Sequence, residues 1–343
     1  MGPVRANETR SHSWFPRKRS PVGRAPASVA APAFHPYGAH VTLAAVDASG
    51  FWTIAFPLIV FGVGLALGYR MFLRARKLVL RERRRGDELI QDAKALRAQV
   101  LALRLAAEGK PARGPLVFRA KQGEDLFLFE LFNPAGSPLK TSGVAIECGA
   151  HDGRSGSVTA LLDAIGWDCV LVEPLPHLAA RCRENRPHAR VVHSALSKRG
   201  STGTAVIRQV RGNSGRSFLA EQAHGANQTS KDAVEIEVPL TTMDAVLGDA
   251  VTAVDVLVLD VEGAELSVLD GFDLDRYRPR VMIIEDHELG EGGGLHAAVT
   301  ARGYLHAGWI WRNRVFIRND DRELLDRALD IQQQYHLLKR TPG

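Results

Sequence analysis

Beyond residue 117 the chain alternates short apolar, β-branched runs with stretches of helical period, which is the pattern of a mostly parallel sheet with helices on both faces. Strands are expected at 144–148, 169–173, 191–194, 254–259 and 281–285, with a closing pair near 304–307 and 315–318 and an extra strand at 234–238. Helices are expected to begin near Ser157, Pro176, Thr242, Ala264 and Leu295. Residues 211–231 are rich in Gly, Ser, Asn and Gln, show neither period and read as a loop.

The first third of the chain follows other rules. Residues 1–47 have no apolar periodicity and are expected to be disordered. Residues 48–69 carry no charge and are apolar almost throughout, about the length a helix needs to cross a hydrocarbon core. Trp52 and Tyr69 stand near the two ends, and Arg70, Arg74, Arg76, Lys77 and Arg81 follow. This predicts a single transmembrane helix, with everything after it on the cytoplasmic side by the positive-inside rule. Residues 70–109 continue as a basic stalk in which Leu89, Ala93, Leu96, Val100, Leu103 and Ala107 alternate spacings of four and three. That seam fits a weak coiled-coil homodimer or a stalk helix packed on its neighbours. Gly109, Pro111 and Gly114 then break the helix, so 110–116 is a linker, 117–320 the main domain, and 321–343 a C-terminal helix and tail.

Charge separates the same parts. Residues 1–113 hold 19 Lys and Arg against 7 Asp and Glu, whereas residues 114–343 hold 25 against 31. A nucleic-acid groove needs clustered positive charge, so the mildly acidic main domain speaks against a nucleic-acid partner. Cys148, Cys169 and Cys182 have no metal-ligand spacing and are odd in number, which fits small core residues in a reducing compartment.

Chemistry gathers at the ends of the expected strands. The first runs VAIECGAHDG, with Glu147, Gly149, Ala150, Asp152 and Gly153 at a turn where missing Cβ atoms allow close approach to a ligand. Glu147 is placed to meet the cationic end of an aminoacyl sulfonium. A dinucleotide fingerprint is excluded, because positions 151 and 154 are His and Arg rather than Gly. The second strand ends in Glu173, about 20 residues past the glycine turn, where a carboxylate accepts hydrogen bonds from both hydroxyls of an adenosine ribose. The fourth ends in VLDVEGAEL, with Asp260, Glu262 and Glu265, and the fifth in VMIIEDHE, with Glu285, Asp286, His287 and Glu288. Carboxylates and an imidazole so close together deprotonate a hydroxyl or hold a divalent cation. Of these, Glu265 and Glu288 are expected to cap or solvate.

The run AKQGEDLFL, then VAIECGAHDGRSGSVTALLDAIGWDCVLVEPLPH, VPLTTMDAVL and VDVLVLDVEGAELSVLDGF, in this order and spacing, resembles the FkbM-like methyltransferase family over about residues 120–318. The resemblance implies an α/β class I methyltransferase fold, a Rossmann-like doubly wound sheet with an antiparallel closing strand. It implies S-adenosylmethionine as methyl donor and O-methylation of hydroxyls on saccharides, glycolipids or secondary metabolites. Residue by residue its motifs fall on Gln122, Glu124 and Asp125 and on Glu147, Gly149, Ala150, Asp152 and Gly153; the cofactor is expected on these, Glu124 apart, and on Glu173 and Ser194. Where the family often has Ser-Asn-Thr, this chain has Ser157, Val158 and Thr159, so the middle amide is lost. Catalysis is expected from Asp260 first, then His287 and Glu262. No metal is expected, and a divalent ion, were one used, falls on Asp260 and Asp286.

The resulting expectation is a membrane-anchored, cytosol-facing enzyme that methylates a small-molecule or glycolipid hydroxyl. Acceptor recognition is expected in 211–231 and around Trp309 and Trp311. The rival readings are a tethered cofactor-binding scaffold without turnover and a methyltransferase of protein or nucleic acid. Against the last stands the absence of an Asn-Pro-Pro-Tyr-type sequence after the fourth strand.

Overall fold

A computed structural model describes residues 48–210, 217–219, 233–287 and 293–340. The chain divides into two compact units, Met1–Arg74 and Ala75–Gly343. The expected disordered segment 1–47 lies outside the described residues.

In the first unit the described residues belong to α1 (Ala48–Ala107), and Val60, Phe61, Leu65 and Leu67 are exposed on it. The expected transmembrane helix over 48–69 is not found: among the described residues no helix is long and apolar enough to cross a membrane. The side chains of residues 48–59 lie outside the described ones.

Within the second unit, the C-terminal part of α1 packs on the main core through Leu101 and Leu105, with Ala98 beside them, and Lys94 Nζ donates to the carbonyl of Ala120 at 2.6 Å. The buried stripe is therefore 94, 98, 101 and 105. The expected seam lies on another face, where Leu96, Val100 and Leu103 are exposed. A helix followed by a domain buries the stripe that the domain selects, and heptad spacing alone does not choose it.

Next come α2 (Glu124–Phe132), β1 (Val144–Cys148), α3 (Ala160–Ala164), β2 (Asp168–Val172), α4 (Pro176–Asn185) and β3 (Arg190–Val192). A second group follows: β4 (Ala195–Leu196), β5 (Gly203–Val210), β6 (Ser217–Leu219), β7 (Ala233–Thr241) and α5 (Met243–Leu247). The last are β8 (Val256–Leu259), α6 (Glu265–Asp270), α7 (Leu274–Tyr277), β9 (Val281–Glu285), α8 (Gly294–Thr300), β10 (Tyr304–Ile310), β11 (Asn313–Arg318) and α9 (Arg322–Arg340).

Seven strands form the main sheet in the order β10-β11-β9-β8-β1-β2-β3. The five from β9 to β3 pair in parallel, and β11 runs antiparallel to both β9 and β10. The central strands are near-continuous apolar runs because helices cover both faces. Ala145, Val256, Val258 and Ile283 face one core with Phe127, Leu161, Trp167 and Leu324. Their chain neighbours Ile146, Leu257, Leu259 and Ile284 face the other with Met243, Val268, Tyr277 and Val299, as the period of two demands. Strand order reverses beside β1, since β2 lies on one side of it and β8 on the other. The carboxyl ends of β1 and β8 thus frame the crevice in which doubly wound sheets bind ligands.

A smaller sheet, β4-β7-β5-β6, was only partly foreseen. The strand expected at 234–238 is β7, paired antiparallel with β5. Part of the expected loop 211–231 is strand β6, paired with β5 through Ile207 and Leu219; residues 211–216 and 220–232 lie outside the described residues. Pairing with a distant strand made β6, and the local composition carries no trace of it.

Gly149 closes the crevice from below. Its φ is 80° and its amide donates to the carbonyl of Val172 at 2.9 Å. A Cβ there would lie 1.8 Å from the carbonyl oxygen of Asp260, backbone against backbone. Gly149→Ala should therefore lower stability by about 3 kcal/mol, read as an earlier midpoint in urea unfolding. An unchanged midpoint would show that the ends of β1 and β8 can move apart.

Candidate active site

A cavity of about 610 Å³ opens at this crevice. Of the expected cofactor residues, Gln122, Glu147, Gly149, Ala150, Glu173 and Ser194 line it, and so do Asp260, Glu262 and Glu285 from the far strands.

Glu147, at the end of β1, is buried and already occupied. Its carboxylate accepts from Ser157 Oγ (2.7 Å), Val158 N (2.8 Å) and Thr159 Oγ1 (2.6 Å). It orders the loop that walls the cavity rather than offering a free carboxylate to a cation. The two hydroxyls that do this are the ones retained at 157 and 159, while Val158 needs only its backbone amide.

Glu173 differs. It accepts one hydrogen bond per oxygen, from His151 N and Leu175 N, both at 2.9 Å, which leaves acceptor capacity on each. Burial pushes its carboxyl up to about 7 against those two bonds. His151 reaches it by adopting φ 53°, a left-handed conformation at the position where a dinucleotide fingerprint has glycine.

Three expected cofactor residues do not line the cavity. Asp152 opposes its partial burial by accepting from the amides and hydroxyl of Arg154 and Ser155, which hold it down to about 2, and so it shapes the turn. Gly153 faces α4, where a Cβ would press on Cys182 and Arg186. Asp125 is buried and accepts from the amides of Arg119 and Ala120; burial outweighs these bonds and lifts it to about 6. These residues fold the segments that carry Gln122 and His151. Ser194 spends its hydroxyl on the carbonyls of Ala195 and Pro239, so it meets the cavity as a wall.

The far side of the cavity is a carboxylate cluster. Glu285, at the end of β9, is raised to about 9 by burial first and then by the neighbouring Asp260 carboxyl, with Glu262 and Glu265 adding negative charge. Asp260, beside it, is exposed to the cavity. Glu262 has φ 54°, an uncommon conformation for a residue with a Cβ. Glu265 accepts from the amides of Val261 and Gly263 and so pins the turn. His287 sits outside the cavity lining, with Nε2 3.3 Å from Glu285 Oε2; Glu288 lies outside the described residues.

The metal pair expected at Asp260 and Asp286 is not brought together. Side chains alternate along a strand end, so Asp286 points away from the crevice and forms a buried ion pair with Arg314. The set that could hold an ion is Glu262, Glu285 and His287, whose ligand atoms lie within 4.8 Å of one another.

At the cavity mouth Trp311, expected near the acceptor, is 60% exposed with φ 58° and lines the cavity from the β10–β11 turn, and Asn313, which the sequence left unassigned, donates from Nδ2 to Glu124 at 2.9 Å. Trp309 instead stacks on the Arg314 guanidinium at 4.1 Å. Burial raises the Glu124 carboxyl.

Residues 147–312 match the methyltransferase FkbM domain. The chain carries a methyltransferase domain. The match begins at Glu147 in β1 and ends in the β10–β11 turn, so it takes in the strand ends that line the cavity. One solved structure, a TehB-like SAM-dependent methyltransferase from Corynebacterium glutamicum, aligns with 65% of this chain and 99% of its own, at 14% identity and a TM-score of 0.31. The comparison with curated proteins gives no match.

Within this domain, Glu173 is a buried carboxylate at the cavity that keeps acceptor capacity on both oxygens. Glu285 is the residue that the sequence placed in the cluster without giving it a role. Its signal was present, since an apolar strand that ends in an acid beside a second acidic strand end marks the crevice.

Proposed function

We propose that the chain moves a methyl group from S-adenosylmethionine to a hydroxyl oxygen of a small acceptor such as a saccharide or glycolipid. The observation that carries this reading is that Asp260 and Glu285, from neighbouring strand ends, line the same cavity as Glu173. The cofactor supplies an electrophilic methyl group on a sulfonium. Glu173 would hold the ribose by accepting from its hydroxyls, and the loop ordered by Glu147 would wall the cofactor in.

A hydroxyl is a weak nucleophile unless its proton is removed as the new bond forms, whereas a neutral amine needs no such base. Asp260 takes that proton at a carboxylate oxygen. Glu285 donates a hydrogen bond to Asp260 and fixes its orientation. Trp311 offers a flat apolar face at the mouth, where a ring-bearing acceptor can lie. The rest of the rate comes from holding the acceptor oxygen in line with the methyl group.

The test is incubation of the full chain with S-adenosylmethionine labelled by 13C in the methyl group and a small-molecule extract of its host. The label should appear as a methoxy carbon in NMR spectra. Label on nitrogen would refute the hydroxyl acceptor, and saturable cofactor binding without transfer would leave a binding protein.

A further inference from the structure

The C-terminal part of α1 carries a second apolar stripe that the core does not use. Ala93, Leu96, Val100, Leu103 and Ala107 are exposed along the same turns that pack on the main domain. At about 100° per residue, their face lies roughly 150° round the helix from the buried stripe of Lys94, Ala98, Leu101 and Leu105. One face of the helix is thus spent on its own domain and the opposite one is left to solvent. Single exposed leucines are ordinary on a protein surface, whereas a row of them at heptad spacing marks an interaction face.

The polar flanks of this stripe select what covers it. Leu89, Leu96 and Leu103 take the d positions of a heptad, and Ala93, Val100 and Ala107 take the a positions. With Val100 at the central a position and leucine at d, the pattern is that of two parallel strands. Arg97 and Arg104 then stand at e, on the flank nearer the domain, where Arg97 pairs with Glu130 and Arg104 Nη2 donates to Ser137 O at 2.6 Å. Asp92 and Gln99 stand at g on the other flank, both exposed. In a parallel pair each g residue faces the e residue of the next heptad on the other helix. Asp92 therefore meets Arg97 of the second copy, and Gln99 meets Arg104. An antiparallel pair would set e against e, arginine against arginine.

We propose that this stripe binds a second copy of the chain, forming a short parallel two-stranded coiled coil over residues 89–107. The stripe is its own complement about a two-fold axis, with acid against base on both sides of the seam. Each domain then lies behind its own helix, on the side away from the seam. The buried stripe already holds this part of α1 helical, so pairing carries no cost of helix nucleation, the cost that defeats short coiled coils in isolation. Upstream the seam stops, because the next a and d positions are Gly86 and Glu82.

Sedimentation equilibrium of the full chain in a mild detergent tests this. The detergent is needed because Phe61, Leu65 and Phe72, earlier on α1, are exposed as well and offer a second place for self-association. The chain should be monomeric at about 1 µM and largely dimeric at about 200 µM, as a dissociation constant of tens of micromolar for so short a contact requires. Leu96→Gln combined with Leu103→Gln should weaken the dimer by at least about 30-fold, and Asp92→Arg by roughly tenfold. Both should leave the melting curve of the dilute chain unchanged, since these side chains are exposed in the monomer. Orientation is read by cross-linking. The three native cysteines are buried, so an introduced one is the reactive thiol, and a parallel seam sets residue 100 against residue 100. Val100→Cys should form an oxidised dimer readily and Ala102→Cys, on an exposed face away from the seam, should not. A monomer at every concentration would leave the stripe to a different protein and overturn the proposal. So would association that persists unchanged in the double variant or in Asp92→Arg, or equal cross-linking at positions 100 and 102.

Discussion

Asp260→Asn should leave the fold and most of the cofactor affinity in place and lower methyl transfer by about 100- to 10,000-fold, the range typical of a general base. The amide keeps the shape of the side chain and removes the oxygen that takes the proton. Glu285→Gln is the matched control. Burial and the neighbouring carboxylates raise the Glu285 carboxyl and favour its neutral form, which an amide copies; transfer should stay within about threefold of wild type. Single-turnover assays separate the two variants. If both lose activity alike, the pair acts as an acceptor cradle instead of a base with a neutral support. If Asp260→Asn transfers at the wild-type rate, positioning alone carries the chemistry.

Glu173→Ala should weaken S-adenosylmethionine and its demethylated product by about 2 to 3 kcal/mol, or roughly 30- to 150-fold, since two hydrogen bonds to a charged acceptor are lost. The pH dependence carries a sign. Burial holds the Glu173 carboxyl at about 7 in the ligand-free protein, and accepting from two ribose hydroxyls favours its ionised form. Below pH 7 a proton competes with the cofactor, so affinity rises with pH through 7, by at most a factor of ten per unit, and levels off above it. Calorimetry at pH 6 and pH 8 should show this slope for the wild type and a flat profile for Glu173→Ala. Equal affinities of the two proteins at pH 8 would remove Glu173 from the ribose site.

What the amino-acid sequence determined by itself was whatever rests on neighbours along the chain. Runs such as VAIEC, VLVL and VMIIE can only be buried strands, so β1, β8 and β9 were legible, and with them the acids at their ends, Glu147, Asp260 and Glu285. Glu173, ending the run after β2, was legible in the same way. Tertiary structure decided how each polar group is spent, because a partner comes from a distant segment. Glu147 is taken by the hydroxyls of Ser157 and Thr159, and Asp286 is turned to Arg314 by strand alternation, although it stands next to Glu285. The stripe of α1 that is buried was likewise chosen by the core it meets, which left Leu96, Val100 and Leu103 outside. An arginine-lined cavity shows the same division: Arg113, Arg119, Arg154 and Arg186 are scattered in sequence, and only the fold, by bringing the linker against α3 and α4, gathers them around one space.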